Sequence, residues 1–311
     1  MRIVSLLPSA TEMICALGLE DQLVGVTHEC DYPSPVVQLP KVTRTLIPKE
    51  ATSRQIDRLV REQLQTTRAL YQLNLPLLKQ LQPDLIVTQS LCDVCAVAQD
   101  DVQAALSQMP GNPRVINLEP QSLPDVFAAM RQVAVAAGVS AEPAIRQLTA
   151  RVDAVAARSA AVARRPRVVL LEWLDPPFSC GHWSPELVRL AGGIEGLGRE
   201  GRPSRALRWD EVIAWHPEVV FVACCGLSAE RTLQDFSLVQ SIPGWQELPA
   251  VRADRVYVTD GSQYFSRPAP RLVDSLEILA HALHPAVHPL PSGLPAAIGV
   301  TGTSVGFQVS H

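Results

Sequence analysis

Short apolar runs alternate with helical periodicity along most of the chain. Each run is brief and rich in Val, Ile or Leu, which predicts a buried strand. The predicted strands are Arg2–Leu7, Leu23–Thr27, Asp84–Thr88, Arg114–Leu118, Val168–Glu172, Val219–Ala223 and Arg255–Val258. Helices are predicted at Ala10–Leu17, Arg54–Thr67, Leu75–Leu81, Gln99–Ser107, Leu123–Ala137, Pro185–Ala191, Trp209–Trp215, Glu230–Val239 and Arg271–Leu283. Strands separated by helices favour parallel sheets with helices on both faces.

The two halves of the pattern resemble each other. A helix, then Pro83-Asp84 or Pro217-Glu218, then a buried strand occurs once in each half. Between the halves, Ala141–Ala163 is rich in Ala, Arg and Val and predicts one long helix. The sequence therefore predicts an α/β fold of two doubly wound Rossmann-like lobes joined by a single long helix. The alternative is one large doubly wound sheet.

The predicted boundaries follow from this pattern. The N-terminal lobe covers residues 1–138, the joining helix 139–165 and the C-terminal lobe 166–285. Residues 286–311 are mostly Pro, Gly, Ser, Thr, Ala and Val without periodicity, which predicts a disordered tail.

Composition narrows the class of partner. A net charge of -4 over 311 residues disfavours nucleic acid or an anionic membrane as the main partner. The first apolar stretch, Ile3–Leu19, is interrupted by polar residues and proline, which is unlike a secretory signal, and no run predicts a membrane span. Seven cysteines form an awkward set for disulfides in an exported protein. We therefore expect a cytoplasmic location.

Ligands of open parallel sheets bind beyond the carboxyl ends of the strands. After the first strand, Ser9 and Glu12 have the spacing of a capping box, so the helix start is a candidate polar site. After the second strand, the run from His28 and Glu29 to Tyr32 offers ligand or metal contacts, with His28 as a metal candidate. Because neighbouring side chains diverge, at most about two of this run can face one site.

Cys92 and Cys95 form a CxxC motif after the third strand. At the start of a helix, such thiols have a lowered pKa, which suits redox exchange or binding of a soft metal. Buried structural thiols remain an equal alternative.

Aromatic residues gather at predicted loops of the second lobe. Only 5% of the chain is aromatic, so this concentration predicts the wall of a flat, largely apolar ligand with a few polar groups. The predicted ligand-binding residues here are Trp173, Asp175, Phe178, His182, Trp183, Tyr264, Phe265 and Arg267, with His182 also a metal candidate. The sequence lacks GxGxxG, GxxxxGK[ST], GxSxG and HExxH, which disfavours nucleotide-dependent chemistry and serine hydrolysis.

Several motifs identify a resemblance. The opening Ile3–Glu12 and Leu81–Val87 resemble the substrate-binding proteins for cobalamin, haem and ferric siderophores. Other motifs resemble a leaderless branch called cobalamin-binding proteins; they are His28–Pro33, Cys92–Val97, Gly181–Trp183 and Tyr264–Pro268. The resemblance covers residues 1 to about 285 and implies two lobes bridged by one helix, with ligand held in a cleft between them. Exported members deliver ligand to an ABC transporter, a role unsupported without a leader.

We interpret the chain as a non-catalytic binder of a cobalamin-like corrinoid or related metal chelate such as haem, with His28 or His182 as axial ligand. Two alternatives stay open. One is an enzyme similar to the chelatases that insert metal into tetrapyrroles, using His28, Glu29 and His182. The other is a binder of a bare transition-metal ion through Cys92, Cys95 and His28.

Overall fold

The computed structural model describes residues 1–46, 52–66, 71–89 and 111–300. The chain divides into two compact units. The N-terminal unit comprises Met1–Ala150 together with Arg267–Arg271. The C-terminal unit comprises Arg151–Ser266 and the chain from Leu272 onward.

The N-terminal unit contains a parallel sheet of four short strands in the order β2-β1-β5-β6. Its strands are β1 (Ile3–Ser5), β2 (Leu23–Gly25), β5 (Leu85–Thr88) and β6 (Arg114–Asn117), and β3 (Thr43–Thr45) and β4 (Tyr71–Leu73) form a separate antiparallel pair. Its helices are α1 (Pro8–Ala16), α2 (Ser53–Thr66), α3 (Leu75–Leu81) and α4 (Leu123–Ala137), and α5 (Glu142–Ala160) begins in it. The parallel sheet confirms the fold class predicted from the alternating pattern.

Local sequence sets where these helices begin and end. Ser122 caps α4 by accepting a hydrogen bond from the Asp125 backbone, and Gly138 ends the helix with a left-handed φ of 72°. Asn74 caps α3 in the same way through the Leu77 N–H. The apolar side of the sheet packs against α3, with Val4, Leu6, Val42, Leu78, Leu81 and Ile86 buried together.

The C-terminal unit is built around β7 (Arg167–Leu174), which pairs in parallel with β10. Its sheet has the order β12-β11-β10-β7-β8, and β9 also pairs with β7. The remaining strands are β8 (Pro177–Ser179), β9 (Ile194–Glu195), β10 (Val219–Val222), β11 (Val256–Val258) and β12 (Ile298–Gly299). The helices are α6 (Ser184–Leu190), α7 (Trp209–Trp215), α8 (Ala229–Gln234), α9 (Phe236–Gln240), α10 (Pro249–Arg252) and α11 (Leu272–Leu283).

Residues on both faces of β7 and β10 are buried, as expected for central strands of a parallel sheet. Val168–Leu171 and all of Val219–Val222 are buried, which explains why these runs are continuously apolar. Trp215, at the end of α7, donates from Nε1 to the Val168 carbonyl at 3.1 Å. This hydrogen bond fixes the end of α7 against β7, the first strand of the unit.

Two features of the fold differ from the sequence prediction. The boundary between the units falls inside α5, and Arg267–Arg271 belongs to the N-terminal unit although both of its flanks belong to the C-terminal unit. Part of the predicted tail is ordered, because β12 pairs antiparallel with β11 and His288 is buried. Backbone pairing and one buried histidine hold a segment that lacks apolar periodicity; residues 301–311 lie outside the described residues.

No helix in the described part of the chain has the length and apolar character needed to cross a membrane.

Candidate functional site

A polar pocket surrounds His28 in the N-terminal unit. The His28 Nδ1 lies 2.8 Å from Thr43 Oγ1, and its backbone N–H donates to the same hydroxyl at 3.2 Å. Its Nε2 lies 3.9 Å from Glu29 Oε1. The imidazole also contacts the Tyr71 ring, with 5.2 Å between ring centroids. Thr43 therefore fixes both the position and the orientation of the imidazole.

Tyr71 completes this pocket by donating from its hydroxyl to Glu29 Oε1 at 2.9 Å. The pocket encloses about 10 Å³, roughly the space of one water molecule, so it can receive only a small polar part of a ligand. Sequence reasoning missed Thr43 and Tyr71 because their strands, β3 and β4, are short and lack the apolar run that marks the other short strands of the unit. The alternation of apolar and polar residues in Tyr71–Leu73 is a signal that could have indicated β4, whereas Thr43–Thr45 is polar throughout and gives no such signal.

Ser9 and Glu12 do not form the predicted capping box. Helix α1 begins at Pro8, its cap residue is Leu7, and no side chain caps it. Ser9 is therefore already inside the helix, where it is buried. Glu12 instead accepts hydrogen bonds from Arg271, at 2.9 and 2.6 Å, and from Arg267 at 3.4 Å. Ser9 and Glu12 have the spacing of a capping box, but Glu12 pairs with two arginines that lie far along the chain. These are better partners for a buried carboxylate than backbone amides are.

Arg267 lies in the same buried network. It donates to both carboxylate oxygens of Asp31, at 2.5 and 3.1 Å, and to the Glu29 carbonyl at 3.4 Å. Burial raises the pKa of the Glu12 carboxyl, while hydrogen bonds and charge from Arg271 and Arg267 oppose that rise. Arg267, which the sequence predicts to bind ligand, thus forms ion pairs with Glu12 and Asp31 of the N-terminal unit.

The run from His28 to Tyr32 divides among three environments. His28 and Glu29 line the pocket, whereas the Cys30 thiol is buried 3.1 Å from the hydroxyls of Thr11 and Thr27. Burial raises the pKa of Cys30. Asp31 pairs with Arg267, and Arg271 lies 3.9 Å from the centre of the Tyr32 ring. Of this run, His28 and Glu29 line the same pocket, which agrees with the expectation that at most about two of its side chains face one site.

The predicted loop after β7 is a β-hairpin. The strand continues through Trp173 to Leu174, and Phe178 lies in β8 opposite Trp173. Asp175 occupies the tight turn between the two strands. The Trp173 Nε1 is buried and has no hydrogen-bond partner among the described residues. Because an indole N–H can only donate, its missing partner must be an acceptor.

His182 is held by its backbone between two turns. Its N–H donates to the Arg202 carbonyl at 2.6 Å, and its carbonyl accepts from Gly201 N at 2.9 Å. The residue has a left-handed φ of 49°. Its ring stacks on Trp183 at 5.5 Å, and burial lowers its pKa. The Nδ1 is buried without a hydrogen-bond partner in the part of the chain that the structure describes.

Glu172 closes the loop that carries His182. Its Oε1 accepts hydrogen bonds from Gly181 N at 3.1 Å and from Ser184 Oγ at 3.3 Å, one on each side of His182. Burial raises the pKa of Glu172 to about 7, against the lowering effect of the Gly181 and Ser184 hydrogen bonds. The loop that positions the His182 imidazole is therefore held by Glu172. The sequence analysis did not predict this role of Glu172.

Two predicted wall residues lie in the core. Trp183 is 7% exposed and donates from Nε1 to the Phe265 carbonyl at 2.8 Å. Phe265 is 2% exposed and packs on Phe221 at 5.4 Å between ring centroids. Their prediction as ligand contacts is not supported, because the indole N–H and both rings find partners inside the unit. Tyr264, Trp173 and Phe178 are half-buried and keep accessible surface.

The metal candidates belong to different parts of the chain. His28 lies in the N-terminal unit and His182 in the C-terminal unit, while Cys92 and Cys95 lie outside the described residues. Within the described ranges, no three His, Cys, Asp or Glu side chains are grouped closely enough to hold a metal ion.

Comparison with known proteins identifies the class of this fold. The chain belongs to the periplasmic binding protein family, whose sequence model matches residues 3–262. The vitamin B12-binding protein of Vibrio cholerae serotype O1 is 24% identical over 283 residues, covering 89% of this chain and 86% of the relative. An uncharacterized ABC transporter substrate-binding lipoprotein, YvrC of Bacillus subtilis (strain 168), is 22% identical over 290 residues, covering 91% and 80%.

A solved structure agrees with the fold. The periplasmic heme-binding protein from Pseudomonas aeruginosa superposes with a TM-score of 0.69 at 21% identity, covering 96% of this chain and 98% of that chain. The resemblance read from the motifs is thereby confirmed. The expected cytoplasmic location is wrong, because the matching family and solved structures are periplasmic. An interrupted apolar start and an odd cysteine count were insufficient grounds for it.

Proposed function

We propose that this protein is a non-catalytic binding protein for a metallo-tetrapyrrole, a cobalamin-like corrinoid or haem, which it passes to an ABC transporter. The observation that carries the proposal is its likeness, over about nine-tenths of the chain, to a vitamin B12-binding protein and to a transporter substrate-binding lipoprotein. The relatives are binding proteins rather than enzymes, which favours capture over metal insertion.

The C-terminal unit offers features that suit such a ligand. Trp173 and Phe178 present half-buried aromatic surface. A tetrapyrrole combines a flat apolar face with acceptor groups at its edge. Its flat apolar face therefore suits this aromatic surface.

Two histidines are candidates for the axial ligand. Thr43 occupies Nδ1 of His28, so Nε2 is the nitrogen left for a metal; it is buried in a pocket of about 10 Å³, and ligation by it therefore requires that pocket to open. In His182 the buried Nδ1 has no partner within the described ranges, and its lowered pKa keeps the imidazole neutral near pH 7. Neutral imidazole is a good ligand for cobalt and iron.

Spectral titration tests this proposal. Wild-type protein is titrated with aquocobalamin and, separately, with hemin, and we expect saturable shifts of the visible bands. Either His28→Ala or His182→Ala should abolish the shift while the variant still folds; His216→Asn, a change at an exposed histidine of the C-terminal unit, is the control. A wild type that binds neither compound overturns the proposal, and binding with unchanged spectra in both variants rejects axial ligation by histidine.

Transport is tested in the source cell. Deletion of the gene should reduce uptake of whichever tetrapyrrole the purified protein binds, and the wild-type gene should restore it. Unchanged uptake at limiting ligand concentration contradicts delivery to a transporter.

A further inference from the structure

An arginine-rich loop of the C-terminal unit lies beside His182. Arginine recurs at every third position, as Arg199, Arg202, Arg205 and Arg208, and all four side chains are exposed. The one acidic residue within this stretch, Glu200, is paired with Arg189 at 2.7 Å. The loop therefore carries a concentrated positive charge that the net charge of the whole chain conceals.

The four arginines fall into two kinds. Arg205 is 3.0 Å from Glu211, and Arg208 is 3.0 Å from Asp210, so both are neutralised by carboxylates at the start of α7. Arg199 and Arg202 make no ion pair with any residue that the structure describes. An exposed guanidinium without a carboxylate partner is available to an anion from outside the protein.

Backbone pairing places Arg202 next to His182. The Arg202 carbonyl accepts from His182 N at 2.6 Å, and Gly201 N donates to the His182 carbonyl at 2.9 Å. The two segments are packed so closely that a Cβ at Gly181 would lie 2.7 Å from the Arg202 carbonyl oxygen. The guanidinium therefore extends from a backbone that is fixed against the histidine loop.

We propose that Arg199 and Arg202 recognise an anionic oxygen group, a phosphodiester or a carboxylate, at the edge of the ligand bound near His182. This inference rests on the proposed function and makes it more specific, because it selects ligands by their acidic substituents. Guanidinium binds both groups through paired N–H donors. Cobalamin carries a phosphodiester in its nucleotide tail, and haem carries two propionates.

Matched ligands distinguish these two sources. Aquocobalamin is compared with diaquocobinamide, which lacks the nucleotide, and hemin with its dimethyl ester, which lacks free carboxylates. The proteins compared are wild type, Arg199→Gln/Arg202→Gln and the control Arg208→Gln, whose arginine is exposed in the same loop but already paired. Circular dichroism and melting temperature establish that each variant is folded.

We expect the double variant to lose about tenfold in affinity for the member of each pair that carries the anionic group and to bind the member that lacks this group as wild type does, while Arg208→Gln changes neither affinity. The difference should shrink in about 0.5 M salt, because the Debye length falls to a few ångströms near that concentration. Equal losses for both members of each pair, or no loss at all, overturn the inference alone. Wild type that binds none of the four compounds overturns the proposed function, and the inference fails with it.

Discussion

Arg271 donates two hydrogen bonds to Glu12 across 259 positions of the chain, from Nε to Oε2 at 2.9 Å and from Nη2 to Oε1 at 2.6 Å. Both side chains are buried within the N-terminal unit. Buried ion pairs of this kind contribute little in comparison with an apolar pair, but breaking one leaves a charge without compensation. The pair therefore makes the N-terminal sheet unit dependent on a distant segment.

Removing Arg271 should destabilise the protein strongly. We expect Arg271→Met to lower the free energy of unfolding by about 3–5 kcal/mol, because Glu12 stays buried with only the longer contact to Arg267. Urea unfolding measures the change. Adding Glu12→Gln should recover part of the loss, since the buried charge disappears.

The control is the pair Arg131–Glu142, which has a similar N–O distance of 2.7 Å but lies at the surface. Arg131→Met should leave unfolding unchanged within error, because solvent and salt screen exposed pairs. A loss as large as that of Arg271→Met would show that burial does not decide the effect.

Acid should weaken the C-terminal unit through His288. This imidazole is buried 3.1 Å from Ser159 Oγ and 3.4 Å from Arg158 Nε, with His281 and His284 also facing it. Burial, followed by the charge of Arg158, lowers its pKa to about 4. The unfolded chain takes up this proton near pH 6.5 and the folded chain only near pH 4. Stability should therefore fall as pH decreases through that window, by at most about 1.4 kcal/mol per pH unit.

Unfolding by urea at a series of pH values checks this expectation. His288→Gln should start from lower stability at pH 7.5 and then show a flatter dependence between pH 6.5 and 4. His216→Asn, at an exposed histidine, should keep the wild-type slope. Parallel curves for wild type and His288→Gln would contradict the assignment.

Truncation after His284 should destabilise the protein, against the expectation of a dispensable tail. The deletion removes β12 from the edge of β11 and removes His288 from its buried site. Thermal unfolding should shift several degrees lower than in a chain that ends at Val300, because a buried polar contact and two ladder residues are lost. Identical melting temperatures would mean that the segment contributes nothing to the fold.

Adding one methyl group at Gly181 should disrupt the His182 loop. In Gly181→Ala the new Cβ meets backbone atoms of Arg202 and Pro203, each 2.7 Å away, and backbone cannot move aside as a side chain can. We expect a lower melting temperature and weaker tetrapyrrole binding, measured by calorimetry and titration. Gly299→Ala, where a Cβ meets nothing within 4 Å, is the matched control and should behave as wild type.

The sequence pattern predicts the long and continuous elements well. Val219–Val222 is recognisable as a continuously apolar run, and Leu123–Ala137 is recognisable because its apolar residues recur with the helical period. The short elements are different. Strands β3, β4 and β12 are two or three residues long, so pairing with a distant partner determines them rather than local preference.

The site is predicted only in part, for the same reason. Ligands of parallel sheets bind beyond the carboxyl ends of the strands, and this rule identifies the candidate residues that end or follow a strand. They are His28, Glu29, Trp173 and His182. Trp183 and Phe265 have equally suitable positions in the sequence, but a hydrogen bond from one to the carbonyl of the other turns both inward. Arg199 and Arg202 are not predicted as site residues because neither follows the end of a predicted strand.

Arg267–Arg271 also imposes an order on synthesis. The N-terminal unit cannot be completed from the first 150 residues, since Arg267 and Arg271, which neutralise Glu12, are synthesised only after the segment Arg151–Ser266 of the C-terminal unit. A nascent chain that ends before Arg267 therefore lacks both arginine partners of Glu12. The N-terminal unit is therefore completed only after Arg267–Arg271 has been synthesised. A gene fragment that ends at the boundary between the lobes encodes an N-terminal unit without this segment.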